Sequence, residues 1–308
     1  MGDLMHALPA LTEAKAHFKE IEFDWVVDKS FSEVPKWHPA VNKIITTDHR
    51  NWKKQLFSSN SRRAFQSVIQ EINNTNYDMV IDMQNNLKSA LVSFMCKHQV
   101  IGMDSKSVRE YPAHFSYSTK ISISKELHAI TRQKILLSNA LGYSTSSSND
   151  YGISDLEFKE PSFNLPNEYV TLVQNASWKT KQWSIPNWQL LVKHLDNSGI
   201  EMILPSGNEE EYQRALKISS FSEKAHVLRP LPLNQIAYIM KKAKFSVCSD
   251  TGLAHLSALV NTPSITLYGP TDTKLIGTEG KNQLHLVGSN NNINSISVDD
   301  VISKLPSM

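Results

Sequence analysis

From about Phe163 onward, short apolar runs alternate with amphipathic ones, and this alternation limits the fold more than any other feature of the chain. "YVTLVQN" (Tyr169–Asn175) is short, apolar and β-branched, the pattern of a buried strand. "SIPNWQLLVKHLDNSG" follows as a helix. Ser184 and Pro186 stand at its start, Trp188, Leu191, Val192 and Leu195 recur at helical spacing, and Gly199 sits where a C-terminal cap belongs. Next come strand "IEMILP", helix "NEEEYQRALKISS", strand "AHVL", helix "LNQIAYIMKKA", strand "KFSVCS", helix "LAHLSAL" and strand "SITLYG". Apolar strands separated by helices imply a parallel sheet covered on both faces.

The first half repeats this theme less cleanly. Strands are predicted at Glu22–Val27, Val41–Thr47, Tyr77–Met83 and Gln99–Met103, and helices over Leu4–Phe18, Arg62–Asn73, Leu87–Lys97 and Leu127–Leu141. The polar stretch "GYSTSSSNDYG" (Gly142–Gly152) reads as the start of the passage between the halves. The expected architecture is α/β, with two doubly wound, Rossmann-like domains (1–160 and 161–308) facing a central cleft. The closing "SVDDVISKLPSM" carries Val298, Val301, Ile302 and Leu305 at helical spacing, with Ser297 and Asp300 placed as a capping pair. There is no short-period repeat and no low-complexity tract.

Composition narrows the class. A chain of 308 residues, 40% hydrophobic and 20% charged, has the balance of a soluble globular protein. Its apolar runs fall short of the ~20 residues that a membrane span needs. Met1 is followed by Gly2, Asp3 and His6 rather than by a basic start and an apolar core, so no signal peptide is expected. Cys96 and Cys248 both lie in apolar runs and are expected to be buried free thiols of a reducing compartment, which predicts a cytosolic protein.

Ligands of open α/β sheets collect at the carboxyl ends of the strands. At one such end stands "FSVCSDTGLAHLSALVNTPSITLYGPTD", where Ser249-Asp250-Thr251-Gly252 hands a strand over to a helix. A helix starting there offers unpaired N–H groups and a positive dipole end to a phosphate. Gly252 lets the backbone come close, and Thr251 adds a hydroxyl. Asp250 would repel phosphate, so it either accepts from sugar hydroxyls or caps the helix. "QNASWKTKQWSIPNW" brings Ser177, Lys179 and Lys181 to another strand end, as diphosphate ligands or as a solvated loop. "LPSGNEEEYQRA" puts Glu209, Glu210 and Glu211 at a helix start, where one carboxylate can hold ribose hydroxyls and the dipole stabilises all three. Near the N-terminus Asp3 and His6 begin a helix with an apolar stripe of Leu4, Leu8 and Leu11, so Asp3 is a cap or a base. "TTDHRNWKKQLFSSNSRRAF" gathers Arg50, Lys53, Lys54, Arg62 and Arg63, either a solvated face or a site for an anionic acceptor or membrane surface. Nucleic acid fits less well, because no aromatic residues are interleaved as a stacking platform.

In order along nearly the full chain stand "GDLMHALPAL", "FDWVVDKSFSEVPKWHPAV", "YDMVIDMQNNLKSALV", "GMDSKSVRE", "HAITRQKILLSNALGY", "KQWSIPNW" and "SDTGLAHLSALVNTPSITLYGPTD". On these motifs the sequence resembles glycosyltransferase family 9, the lipopolysaccharide heptosyltransferases. Phe23–Val41 tilts the resemblance toward the branch that adds the first heptose rather than the second. The resemblance implies a GT-B fold and an inverting, metal-independent reaction without a cofactor. L-glycero-D-manno-heptose would pass from ADP-heptose to the first Kdo of Kdo2-lipid A, at the cytoplasmic face of the inner membrane of a Gram-negative cell. It also assigns roles. Asp3 matches the general base; Asp250, Thr251, Gly252, Leu253 and His255 match the donor loop. Lys181 matches the phosphate-binding lysine, Glu211 the ribose contact, and Arg50, Lys53, Lys54 and Arg109 the acceptor-facing positions. Two departures stand out: Ala176-Ser177 replaces Thr-Thr before the lysine, and "QNNLKS", with Asn85 and Asn86, replaces "QGLxKS".

Such a reaction needs a carboxylate to take the acceptor proton and positive groups, here Lys181 and a helix N-terminus, to stabilise the departing ADP. The sequence holds no Asp-x-Asp pair and no His/Cys ligand cluster of the kind metals use. Three alternatives stay open. A second heptosyltransferase would need an acceptor already carrying heptose. An epimerase or dehydrogenase would want a GxGxxG turn, which is missing. A nucleotide-sugar-binding protein without activity would bind donor and release no ADP. In the family the Gly-Asp pair follows a first strand, whereas here Met1 directly precedes Gly2-Asp3. The expectation is a native product with roughly ten more residues upstream, enough for a strand, and for the present chain a gapped N-terminal sheet with little activity.

Overall fold

In the computed structural model residues 1–48 and 59–306 are described, and the chain divides into two units, Asp3–Ile153 and Ser154–Met308. The first unit is built around α1 (Gly2–His17), whose Met5, Ala7, Leu8, Ala10, Leu11 and Ala14 are all buried. A helix apolar on so many sides belongs to a core. After it come β1 (Phe23–Asp28), α2 (Glu33–Lys36), β2 (Val41–Thr47), α3 (Ser59–Asn74), β3 (Val80–Ile81), α4 (Leu87–Met95), β4 (Val100–Met103), β5 (Thr119–Ile121) and α5 (Ala129–Leu141).

The strands of this unit form two parallel sheets, β1-β2 and β3-β4-β5. Among the described residues no strand joins β1 to β3, which is the interruption anticipated from the sequence. The two sheets nevertheless share a cluster in which Phe23, Trp25, Ile81 and Met83 pack with Ala10, Leu11 and Leu137, and Tyr77 donates its hydroxyl to Asp24 across 2.8 Å. The strand expected over Tyr77–Met83 shrinks to Val80–Ile81, and β5 was not expected at all. Its "TKI" has no apolar run to announce it and pairs on one side only.

Asn85 and Asn86 now have a structural account. Asn85 is buried with φ +54°, a left-handed conformation that suits glycine best and asparagine next. Its Oδ1 accepts from the Met103 N–H at 3.0 Å. Asn86 caps α4, accepting from the Lys88 and Ser89 N–H groups. The Gly142–Gly152 stretch ends the first unit, directly before the boundary at Ile153, and is anchored to that unit. Buried Lys134 lies 3.6 Å from Glu13 and donates to the Ser146 and Ser148 carbonyls at 2.7 Å each. Glu13 in turn accepts from the Ser146 N–H.

The second unit follows the sequence closely. It runs β6 (Tyr169–Val173), α6 (Ile185–Asn197), β7 (Glu201–Leu204), α7 (Glu209–Ser219), β8 (Ala225–Val227), α8 (Leu233–Lys242), β9 (Ser246–Ser249), α9 (Gly252–Leu259), β10 (Ser264–Tyr268), α10 (Thr273–Ile276), β11 (Gln283–Val287) and α11 (Val298–Ile302). The six strands are parallel in the order β11-β10-β9-β6-β7-β8. Alternate residues serve opposite faces, since Val170, Leu172, Met202 and Leu204 enter one apolar cluster while Tyr169 and Ile203 enter another. Gly199 adopts φ +78° after α6, and Ser297 and Asp300 form the capping box of α11. β11 escaped the sequence reading because "QLHLV" is an edge strand interrupted by His285. Of the two cysteines, both free, Cys248 is fully buried, its thiol pushed up to about 12 by burial. Cys96 is only half-buried, a correction to the expectation for both.

Candidate active site

The chain leaves β6 for β7 and β8 on one side, then returns to place β9 on the other side of β6. Strand order therefore reverses between β6 and β9, the position at which open α/β sheets bind ligands. Three adjacent strand ends contribute there: the loop after β6 with Ser177 and Lys181, the turn after β9 with Asp250, and the turn after β10 with Thr271.

Asp250 is buried and joins all three. Its Oδ2 lies 2.7 Å from Lys181 Nζ and also accepts the Thr271 hydroxyl. The carboxylate does not cap the following helix. Thr251 occupies the N-cap of α9, and no side chain caps the helix there. The helix begin thus keeps backbone N–H groups for an incoming anion beside a half-buried lysine. Gly252 and Leu253 form its first turn, and His255 is buried one turn on.

The lysine loop is held from below. Trp183 and Trp188 are fully buried and meet edge to face at 5.3 Å. Trp183 donates its indole N–H to the Ile296 carbonyl at 2.9 Å, while Arg214 donates to the Trp183 carbonyl at 2.6 Å. Gly269 lets the β10 turn approach the lysine loop, because a Cβ there would stand 3.0 Å from the Thr180 carbonyl oxygen and 3.0 Å from the Ile293 nitrogen. Ser177 is exposed on the same loop beside exposed Trp178.

Two residues of this surface escaped the sequence reading. Thr271 lies in "GPTD", the closing residues of the stretch Phe245–Asp272, where nothing local tells that its hydroxyl meets Asp250. Asn175, at the end of the β6 segment, is buried with neither side-chain amide atom hydrogen-bonded. A buried amide without partners marks a place where a ligand or water completes the bonding. Glu211 sits one strand outward and accepts from the Gly207 N–H at 2.7 Å, so its carboxylate now closes its own loop. Glu209 pairs with Arg229 at 3.3 Å and Gln213 at 2.8 Å, which leaves it as helix decoration.

In the first unit the structure brings together Asp3 and Arg109, far apart in sequence. Arg109 Nη1 donates to Asp3 Oδ2 at 2.8 Å, and both side chains are exposed. Asp3 stands in the first turn of α1. Arg50, Lys53 and Lys54 lie outside the described residues. Among the described residues no three His, Cys, Asp or Glu side chains converge as a metal cage, and no helix is long and apolar enough to cross a membrane.

Comparison with known proteins gives this surface a context. The family model described as glycosyltransferase family 9 (heptosyltransferase) matches residues 65–305. Lipopolysaccharide heptosyltransferase 1 of Escherichia coli is 38% identical over 316 residues, spanning 100% of this chain and 97% of that protein. Lipopolysaccharide heptosyltransferase 1 of Pseudomonas aeruginosa is 35% identical over 93% of this chain and 81% of that protein. Among solved structures, the E. coli heptosyltransferase WaaC with ADP superposes with a TM-score of 0.91 at 36% identity, over 98% of this chain and 95% of that one.

Proposed function

The chain belongs to glycosyltransferase family 9, and from that premise we propose that it moves L-glycero-D-manno-heptose from ADP-heptose to Kdo2-lipid A. It thereby adds the first heptose of the lipopolysaccharide inner core, with inversion and without a metal, as a peripheral protein at the cytoplasmic face of the inner membrane. The names of the relatives support heptose transfer to lipopolysaccharide, and the ADP bound by the matched structure supports the donor class.

The observation that carries this reading is the Lys181–Asp250 pair beside the uncapped start of α9. A diphosphate entering there exchanges its charge for that of Asp250 on the lysine and takes the helix N–H groups as donors. Asp250, held by Thr271, then accepts from hydroxyls of the sugar. Asp3 takes the proton of the attacking Kdo hydroxyl as its oxygen bonds the anomeric carbon and the carbon–phosphate oxygen bond breaks. Charge growing on the departing ADP falls on Lys181 and the α9 N-terminus. Arg109 orients Asp3 and, with Arg50, Lys53 and Lys54, meets the acidic acceptor. Glu211 turns from its own loop to the ribose, and Ser177 donates to a phosphate.

The experiment is transfer from ADP-heptose to Kdo2-lipid A with excess EDTA, read by mass spectrometry beside an acceptor that already carries one heptose. Product from the first acceptor alone supports the proposal. Product from the second alone assigns the chain to the later step. Donor binding without ADP release would leave only a nucleotide-sugar-binding protein.

A further inference from the structure

The first unit carries an apolar surface that its core does not use. On α4, Leu87, Leu91, Phe94 and Met95 are exposed, Phe94 by 77%. Spacings of four, three and one residue put them on one side of a helix. The short 3-10 turn Tyr111–Ser116 packs against α4 and adds exposed Tyr111 and Phe115, the latter 70% exposed. Small Ala90 and Ala113 make the buried contact, since both belong to the cluster that contains Val108 and Tyr117. The large side chains are thus left outside by construction. Glu110 locks the two segments together, its carboxylate accepting the Leu87 N–H at 2.8 Å and its own N–H donating to the Asn85 carbonyl at 3.2 Å.

The charges around this patch choose its occupant. Between Leu87 and Lys120 the chain has Lys88, Lys97, Lys106, Arg109 and Lys120 against only Asp104 and Glu110. Asp104 is bonded to Ser107, Glu110 to backbone, and Arg109 to Asp3. Lys88 on α4 and Lys97 just past its end are exposed, as are Lys106 and Lys120 in the segments on either side of the Tyr111–Ser116 turn. Contiguous apolar area on a monomer surface marks an interaction site. Exposed leucine and aromatic side chains in a segment with an excess of exposed lysine match the headgroup and acyl boundary of an anionic bilayer. A second copy of the chain would bring the same excess of positive charge against itself.

We infer that α4 and the Tyr111–Ser116 turn form the bilayer-docking surface of this protein, with Phe94 and Phe115 entering the acyl boundary and the four lysines meeting anionic headgroups. The inference rests on the membrane association proposed above and names the surface responsible.

The test uses the full chain and vesicles of phosphatidylcholine mixed with the anionic lipid phosphatidylglycerol. Wild type is expected to co-sediment, with at least tenfold weaker partition for Phe94→Ser/Phe115→Ser and for Lys88→Glu/Lys97→Glu. Both variants should keep the wild-type melting temperature, being changed only at exposed positions, and should keep ADP binding. Equal sedimentation of wild type and both variants would overturn the inference, as would no sedimentation of the wild type. Concentration-dependent dimers abolished by Phe94→Ser/Phe115→Ser would assign the patch to a second copy instead. Failure of heptose transfer to a soluble, deacylated acceptor would count against the proposed function while leaving vesicle binding intact, so the two readings fail separately.

Discussion

Asp250 Oδ2 and Lys181 Nζ stand 2.7 Å apart, joined by Thr271 on the same oxygen. On the proposed function, the site for the diphosphate already holds an internal anion on its lysine, and donor binding would be an exchange of partners. Burying a carboxylate is costly unless partners replace its water, and Lys181 and Thr271 are those partners here.

Lys181→Ala is expected to weaken ADP binding by about 10- to 100-fold, the equivalent of one charge-assisted contact of ~1.5–3 kcal/mol. It leaves Asp250 without its cation in the same pocket, so repulsion adds to the loss. Titration calorimetry with ADP checks this. Binding within twofold of wild type would show that the lysine only decorates the loop.

Thr271→Val removes one of the two partners of Asp250 Oδ2 without touching the lysine. Donor KM should rise severalfold and Thr271→Ser should restore it. Steady-state kinetics on the two variants separate positioning from packing, because a purely structural role would be rescued by the isosteric valine rather than by serine.

How much of this was legible beforehand follows from where each interaction is written. The second unit could be read almost element by element, since buried parallel strands such as Tyr169–Val173 and helices such as Ile185–Asn197 carry their signal in local hydrophobicity and caps. β5 and β11 carry no such signal, as edge strands owe their state to the neighbour they pair with. In the site, Asp250 and Lys181 were named, but their pairing and the part of Thr271 depend on three strand ends meeting in space. The contact of Asp3 with Arg109 is likewise tertiary. Asn85 shows the reverse case, in which an unexplained departure becomes a backbone requirement once φ is known.

His38 gives the fold a pH dependence. Burial, opposed in part by Asp150, lowers its pKa from 6.5 to about 4. Its Nδ1 accepts the Ala40 N–H at 3.1 Å, while Nε2 faces Thr12 Oγ1 at 3.0 Å, so the neutral ring is the one that fits. The unfolded chain binds the proton first as pH falls. The stability that this group contributes is full above about pH 6.5 and is lost between there and about pH 4, a total of about 3 kcal/mol. Urea titrations at pH 7 and pH 4.5 on wild type and His38→Gln check this, the variant losing most of the slope in this window.

Lys134→Met leaves buried Glu13 without its cation and should destabilise the chain by about 3–5 kcal/mol. Adding Glu13→Gln should recover part of that loss, because the isolated charge is removed along with its partner. Urea midpoints of the single and double variants measure the difference, and equal midpoints would show that the pair carries no coupled energy.

On the proposed function two clusters divide the work: Lys181 with Asp250 would bind the donor, and Asp3 would take the acceptor proton. The most direct test is Asp3→Asn in the native protein, with turnover onto Kdo2-lipid A by mass spectrometry and ADP affinity by calorimetry on the same sample. The predicted result is turnover lower by about 100-fold or more, as for loss of a general base, with ADP affinity within twofold of wild type. Turnover close to wild type, or an equal loss of turnover and affinity, would contradict it.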